Sequence, residues 1–162
     1  MPTGLGRRTR LAGYSVALTS STHTEPRSAM STEATRALVA QAFQAVAGRD
    51  IPALLALLSP DVEWGEADNP LIPSAGMRRG VEGVLEWLRI GNETEDIRAF
   101  EIERVLVEGD MAAAIGRTSI VARPTGKAYA MDFVHLVTVA DGRIARFVEH
   151  FDTWAAAEAF RP

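Results

Sequence analysis

Apolar residues in the first half of the chain recur every three or four positions, the spacing that gathers side chains on one face of a helix. Leu38, Val39 and Ala42 follow this spacing. Ser31 and Asp50 precede such runs, and both are residue types that cap a helix N-terminus. The pattern predicts three helices, at 31–48, 50–58 and 80–88.

The spacing changes to two from Ile97 onward, as in strands whose side chains alternate between two faces. Turn residues interrupt this alternation at Gly109, Gly126 and Gly142. We expect strands at 61–66, 97–108 and 111–123, a hairpin over 127–152, and a short helix at 153–160. Helices grouped before a run of antiparallel strands are typical of the α+β class, whereas a parallel α/β sheet would alternate the two.

The composition limits the classes of function. The chain has 162 residues and a formal charge of −4, which fits one domain without the basic surface that nucleic acid requires. No apolar run approaches the roughly 18 residues of a membrane span. Cysteine is absent, which excludes disulfides and suits a cytoplasmic protein. Neither metal-ligand spacing nor a nucleotide-binding motif is present, so we expect no metal and no cofactor.

The N-terminal segment, residues 1–30, lacks periodicity and is rich in Ser, Thr, Arg and Gly. Three arginines precede a short apolar stretch at 11–18, which is the outline of a signal peptide, but Gly13 interrupts that stretch. We therefore expect a disordered extension over 1–30 and one folded domain over 31–162. A targeting segment and an upstream start before Met30 are the alternatives.

The hairpin places a histidine and a glutamate among aromatic residues. Phe133 and His135 share one face of its first strand, and Phe147, Glu149 and Phe151 share one face of its second. If the turn pairs the strands evenly, His135 lies opposite Phe147 or Glu149. A carboxylate between aromatic rings is poorly solvated, which favours acid–base chemistry. This face is therefore predicted to be the wall of a small-molecule pocket.

Four segments of the chain resemble SnoaL-like members of the nuclear transport factor 2-like superfamily. They read SPDVEW, RRGVEGVLEWL, VEGDMAAAIGR and VTVADGRIARFVEHFDT. Ketosteroid isomerases, polyketide cyclases and limonene-type epoxide hydrolases are relatives. The resemblance runs from about Glu33 to Phe160. It implies a cone-shaped α+β barrel, in which helices pack on a strongly curved, mainly antiparallel sheet around an apolar pocket, and a homodimer.

The resemblance also implies roles for individual residues. In polyketide cyclases of this type, a polar residue and an acid flank the closing ring, and His135 and Glu149 occupy those positions. Limonene-type epoxide hydrolases use an arginine and two acids. Arg117 and Glu149 match the outer two members of that set, whereas Ser119 stands where the middle acid is expected. This departure argues against hydrolysis by the epoxide hydrolase mechanism.

Ketosteroid isomerases supply a third comparison. They place an aspartate base after the first short strand and a tyrosine on the first helix. Glu66 lies near the position of the base, with Trp64 one pocket-facing position earlier. Phe43 occupies the place of the tyrosine, so the isomerase set is incomplete as well.

Together these residues predict a cofactor-free enzyme that isomerises, cyclises or hydrates an apolar oxygenated substrate. Glu149 is expected to act as base or acid, His135 to relay a proton, and Arg117 to polarise a substrate oxygen. Six further residues are expected to bind substrate: Trp64, Glu66, Ser119, Phe133, Phe147 and Phe151. Two alternatives stay open: a non-catalytic module that binds an apolar ligand, and an interaction domain that dimerises through its open sheet face.

Overall fold

The computed structural model describes residues 9–11, 14–16 and 30–162. Within the N-terminal extension, strands β1 (Thr9–Leu11) and β2 (Tyr14–Val16) pair antiparallel as a separate two-stranded sheet. The sequence analysis expected disorder over residues 1–30 and predicted no strands there. The rest of that expectation falls outside the described residues.

Six strands of the domain form one curved sheet, in the order β4-β3-β8-β7-β6-β5. They are β3 (Leu58–Glu66), β4 (Met77–Arg79), β5 (Glu95–Glu108), β6 (Met111–Ala122), β7 (Ala128–Ala140) and β8 (Arg143–Phe151). Neighbouring strands run antiparallel, except that β3 is parallel to β8. The predicted α+β class and mainly antiparallel sheet are confirmed. Strand β4 and the parallel pair were missed, because neither leaves a local pattern in the sequence.

The described residues contain four helices: α1 (Thr32–Ala47), α2 (Ile51–Ala56), α3 (Gly80–Thr94) and α4 (Thr153–Phe160). The predicted caps form as expected. Ser31 Oγ accepts a hydrogen bond from the Ala34 amide at 3.1 Å, and Asp50 Oδ1 accepts one from the Ala53 amide at 3.0 Å. Each cap satisfies a helix N–H group that has no partner within the helix, which is worth about 1 kcal/mol.

Helix α3 is longer than predicted. The sequence analysis treated 90–95 as a connector containing Gly91, a residue that weakens a helix interior by about 1 kcal/mol. The structure continues the helix to Thr94, whose Oγ1 donates to the Ile90 carbonyl at 2.8 Å. Packing of α3 against β3 outweighs the cost of the glycine. As a result the helix ends directly before Glu95, which opens β5.

Register shifts curve the sheet. The pairing of β5 with β6 slips near Ala99 and again near Ile102. Strand β3 begins earlier than predicted, at Leu58, and its register against β8 shifts before Glu63, where Pro60 lacks a backbone donor. An extra residue on one strand bends that strand and increases its twist. The bent sheet presents a concave face to the helices.

The concave face carries the core, together with the inward side chains of α1, α2 and α3. Small residues of β6, Ala112, Ala114 and Gly116, alternate on this face and are buried. A Cβ on Gly116 would lie 2.1 Å from the Glu101 carbonyl oxygen and 2.5 Å from Phe133 Cζ, so this close approach requires glycine. Among the described residues, no helix is both long and apolar enough to cross a bilayer.

Candidate active site

A cavity of about 340 Å³ lies between the helices and the concave face of the sheet. This volume lies within the range of small-molecule pockets. Aromatic rings form much of the cavity wall: Phe43, Trp64, Trp87, Phe100, Phe147 and Phe151. The indole of Trp64 stacks on Phe147 with ring centroids 4.0 Å apart. Water is therefore largely replaced by apolar surface around the few polar groups that the cavity contains.

His135 and Glu149 form a hydrogen-bonded pair in this wall. They lie directly opposite each other in the β7–β8 register, and His135 Nε2 lies 3.1 Å from Glu149 Oε1. Their side chains are only 7% and 14% exposed. The imidazole stacks on Phe133 at 4.3 Å, and its Nδ1 is buried without a hydrogen-bond partner. Of the two pairings predicted from the sequence, the structure adopts the one with Glu149.

Glu66 is the second carboxylate of the cavity. It is 2% exposed and lies beside Glu149 in the parallel β3–β8 register. Ser74 Oγ donates to Glu66 Oε1 at 2.7 Å, and Trp87 Nε1 donates to Oε2 at 2.8 Å. Burial raises the pKa of Glu66, the Ser74 hydrogen bond opposes that rise, and the charge of Glu149 adds to it. Glu66 therefore lies in the pocket, where the sequence analysis expected it.

Glu95 is a third carboxylate, which the sequence analysis missed. It lines the cavity from the start of β5, and Tyr129 Oη donates to its Oε1 at 3.2 Å. Burial raises the pKa of Glu95 to about 7, the Tyr129 hydrogen bond opposes this, and the charges of Glu149 and Glu66 add to it. Burial and the neighbouring Glu95 also raise the pKa of Tyr129. No local signal pointed to Glu95, because Gly91 and Asn92 precede it and the helix continues past them only through its packing.

Arg117 and Ser119 do not reach the cavity, which corrects the prediction that they contact the substrate. Side chains alternate along β6, and its inward residue here is Thr118. Arg117 lies on the convex face and forms ion pairs with Glu101 at 2.9 Å and Glu103 at 3.5 Å. The hydrogen bond from Arg117 to Glu101 raises the pKa of the guanidinium. Arg117 is therefore removed from the set that can polarise a substrate oxygen in this cavity.

The aromatic residues fall into two layers. Trp64, Phe147 and Phe151 line the cavity, as predicted for substrate-binding residues. Phe133 is 1% exposed and lies behind the wall, where it stacks on Phe100 at 4.8 Å. Its predicted contact with substrate is therefore replaced by a packing role. In the part of the chain that the structure describes, no three His, Asp or Glu side chains come together in a way that could hold a metal ion.

Several solved structures share this fold. An NTF2-like protein from Burkholderia xenovorans LB400 is 26% identical, with a TM-score of 0.75 over 82% of this chain and 99% of that chain. The protein TerC, co-crystallised with polyporic acid, is 25% identical, with a TM-score of 0.69 over 78% of this chain and 98% of that one. A proposed SnoaL-like polyketide cyclase from Mesorhizobium loti is 20% identical, with a TM-score of 0.59 over 73% and 96%, and shows the fold alone. No curated protein sequence matches the chain.

The family match covers most of the residues that build the cavity, although Glu149 and Phe151 lie beyond its end. The SnoaL-like domain matches residues 39–147, which is more than half of the chain and includes helix α3 and most of the sheet. The resemblance drawn from four sequence segments is therefore confirmed. The chain belongs to the family of SnoaL-like domains, within the NTF2-like superfamily.

Proposed function

We propose that this protein is a cofactor-free enzyme that moves protons on an apolar oxygenated small molecule, in an isomerisation or cyclisation. The observation that carries the proposal is the His135–Glu149 pair, 3.1 Å apart in the wall of an aromatic cavity. A carboxylate held by an imidazole and screened from bulk water is a suitable general base. Reactions of this kind involve no net oxidation or reduction of the substrate, so acid–base groups suffice for them.

The roles follow from which hydrogen-bonding atoms of the His135–Glu149 pair are already used and which are free. Glu149 Oε1 is engaged by His135, and Oε2 has no hydrogen-bond partner among the described residues. Oε2 is therefore the atom that accepts a proton from a carbon next to a substrate carbonyl. Return of that proton to another carbon completes an isomerisation. In a cyclisation, the enolate carbon instead attacks a second carbonyl, whose π electrons move to its oxygen, and the proton held by Glu149 then passes to the resulting alkoxide. His135 fixes the orientation of Glu149 and hydrogen-bonds to its charged form.

The size and lining of the cavity support a small-molecule ligand over a purely structural domain. An interaction domain without a ligand would have a filled interior, whereas this cavity holds about 340 Å³. The similar protein TerC was crystallised with polyporic acid, a small-molecule ligand. A binding module without turnover is the second candidate, since the same cavity would serve it. The homodimer implied by the resemblance stays a prediction.

Deuterium exchange into 2-tetralone tests the proposed base. The protons next to the carbonyl of this bicyclic ketone are acidic, and their loss in D₂O is followed by NMR without knowledge of the natural substrate. Wild-type protein is expected to speed the exchange, and Glu149→Gln to lower the protein-dependent rate by about 100-fold or more. Glu108→Gln, at an exposed carboxylate at the end of β5, is the matched control and should match wild type.

The outcomes separate the two candidates. Exchange that is as fast in Glu149→Gln as in wild type would refute Glu149 as the base. Absence of exchange in wild type, combined with an apolar molecule that co-purifies in native mass spectrometry, would favour the binding module.

A further inference from the structure

The cavity wall carries more negative than positive charge. Glu66, Glu95 and Glu149 all line it, and among the described residues its basic members are His135 and Arg49. Arg49 follows α1 at the cavity rim and is exposed to solvent. The interior of the cavity therefore combines three carboxylates with one imidazole.

The wall also offers more acceptors than donors. Tyr129 engages one oxygen of Glu95 and His135 engages one oxygen of Glu149, and the second oxygen of each has no donor in the part of the chain that the structure describes. Two further atoms, His135 Nδ1 and the donor Nε1 of Trp64, are buried without a partner and have no exposed surface, so the acceptors that a ligand can reach are the second oxygens of Glu95 and Glu149. A ligand group that only donates complements such a wall. An ammonium group has three donors and no acceptor.

Aromatic faces favour the same kind of ligand. Six rings line the cavity, and the face of an aromatic ring attracts a cation more strongly where water is excluded. Arg123 contacts Glu95 without reaching its carboxylate: Arg123 Nε donates to the backbone carbonyl of Glu95 at 2.9 Å, and its guanidinium lies 4.0 Å from Asp96. The Glu95 carboxylate is therefore left to a neutral hydroxyl.

We propose that the cavity binds an apolar molecule carrying a protonated amine, whose charge is held by the carboxylate of Glu95 and by the aromatic faces around it, while Glu149 is left for proton transfer. This inference rests on the proposed function in one respect. Proton removal by Glu149 leaves negative charge on the substrate, in a cavity that already contains carboxylates. Arg117, which the sequence analysis assigned to offset that charge, lies on the convex face. A protonated amine in the substrate would offset this negative charge from within the same molecule.

Binding of a cation to Glu95 is expected to depend on pH. Burial raises the pKa of Glu95 to about 7, so the acid is largely neutral in weakly acidic solution. The groups that face its carboxylate are Tyr129 from β7, Glu149 from β8 and Glu66 from β3, and none of them is basic. An amine should therefore displace a proton from Glu95 and bind more tightly as the pH rises through about 7.

Three probes with the same 2-naphthyl ring and different charges test whether the cavity prefers a cation. They are 2-(2-naphthyl)ethylamine, 2-(2-naphthyl)ethanol and 2-naphthylacetate, which are cationic, neutral and anionic at about pH 8. In isothermal titration calorimetry, the amine is expected to bind about tenfold more tightly than the alcohol, and the acetate most weakly. This comparison uses the wild-type protein alone, so it does not depend on the folding of a variant.

Two variants then locate the charge. Glu95→Gln is expected to reduce the preference for amine over alcohol to about twofold or less, and to remove its pH dependence. Glu93→Gln, at an exposed carboxylate on α3, is the control and should retain both. The proposal is overturned if the alcohol or acetate binds as well as the amine, if Glu95→Gln keeps the preference, or if none of the three binds. Tetralone exchange measured on the same samples reports the proposed function separately, so either claim can fail alone.

Discussion

Carboxylates on the two faces of the sheet lie in opposite surroundings. On the convex face, Glu101 pairs with Arg117 at 2.9 Å, and both side chains are about 60% exposed. On the concave face, Glu66 is 2% exposed and is hydrogen-bonded by a serine and an indole. Ion pairs on the convex face are screened by water and contribute little to stability. On the concave face, Glu95 and Glu149 form no ion pair with an arginine among the described residues, whereas Arg78 lies near the charge of Glu66, so Glu95 and Glu149 are the acids available for proton transfer and for a ligand.

The same contrast extends to packing. Residues of β6 that face the concave side are buried, and Ala112, Ala114 and Gly116 among them are small, whereas its convex residues are exposed or half-buried. The two faces therefore differ in what a substitution can change. Stability should respond on the concave side and stay constant on the convex side, and three measurements test that difference.

Gly116→Ala is expected to have the largest effect on stability. The new Cβ would lie 2.1 Å from the Glu101 carbonyl oxygen and 2.5 Å from the Phe133 ring, so strand or ring must move. We expect the free energy of unfolding to fall by about 1–3 kcal/mol, measured by urea denaturation. Ser119→Ala, on the convex face of the same strand, should change it by less than about 0.5 kcal/mol. Equal losses in the two variants would contradict the contrast in packing.

The second-largest effect is expected in the pH dependence of stability, through the buried carboxylates on the concave face. Burial raises the pKa of Glu66, and raises that of Glu95 to about 7. Between the ordinary pKa of a glutamate and about 7 the folded state binds more protons than the unfolded state, so stability falls as the pH rises through this window. Glu95→Gln should remove part of this fall in the free energy of unfolding, on the order of 1 kcal/mol across the window. The figure is modest because Glu95 is only partly buried and solvent screens some of the effect.

Urea denaturation at several pH values measures this slope. Glu101→Gln, on the convex face, serves as the control and should retain the wild-type slope. A slope that Glu95→Gln leaves intact would mean that Glu95 titrates normally in the folded protein.

Arg117→Ala is expected to have the smallest effect, although the sequence analysis placed this residue in the catalytic set. Its guanidinium is exposed, and it forms ion pairs with Glu101 and Glu103. We expect the urea midpoint and the rate of tetralone exchange to match wild type. A loss of exchange as large as that of Glu149→Gln would mean that the convex face communicates with the cavity.

How far the sequence predicted the site depended on how local each signal is. Alternation and one tight turn, both within a short stretch of chain, limited the partner of His135 to Phe147 or Glu149, and a register shift between Thr138 and Val139 decides for Glu149. The face of β6 was harder to assign, because Ile115 and Val121 are apolar on one side and Ile120 is apolar on the other. Hydrophobic alternation did not distinguish these faces, so Arg117 was assigned by resemblance and placed on the wrong side.

Glu95 and Glu66 show a second limit. Glu95 lines the cavity because α3 continues past a glycine, and tertiary packing rather than helix propensity decides that length. Glu66 lies beside Glu149 because β3 pairs in parallel with the last strand of the chain, a contact between distant segments. Both acids depend on long-range packing, which local patterns do not encode.

The parallel pairing of β3 with β8 also determines when the site can exist. Although β8 is the last strand of the sheet in the chain, it lies between β3 and β7. During synthesis, α1, α2 and β3 leave the ribosome long before β8 does, and β3 must wait for β8 before it can join the sheet. During synthesis, Glu66 and Glu149 can therefore meet only after β8 has left the ribosome. The cavity is completed by some of the last residues to be made, so a chain that can bind a ligand in it already contains the whole sheet.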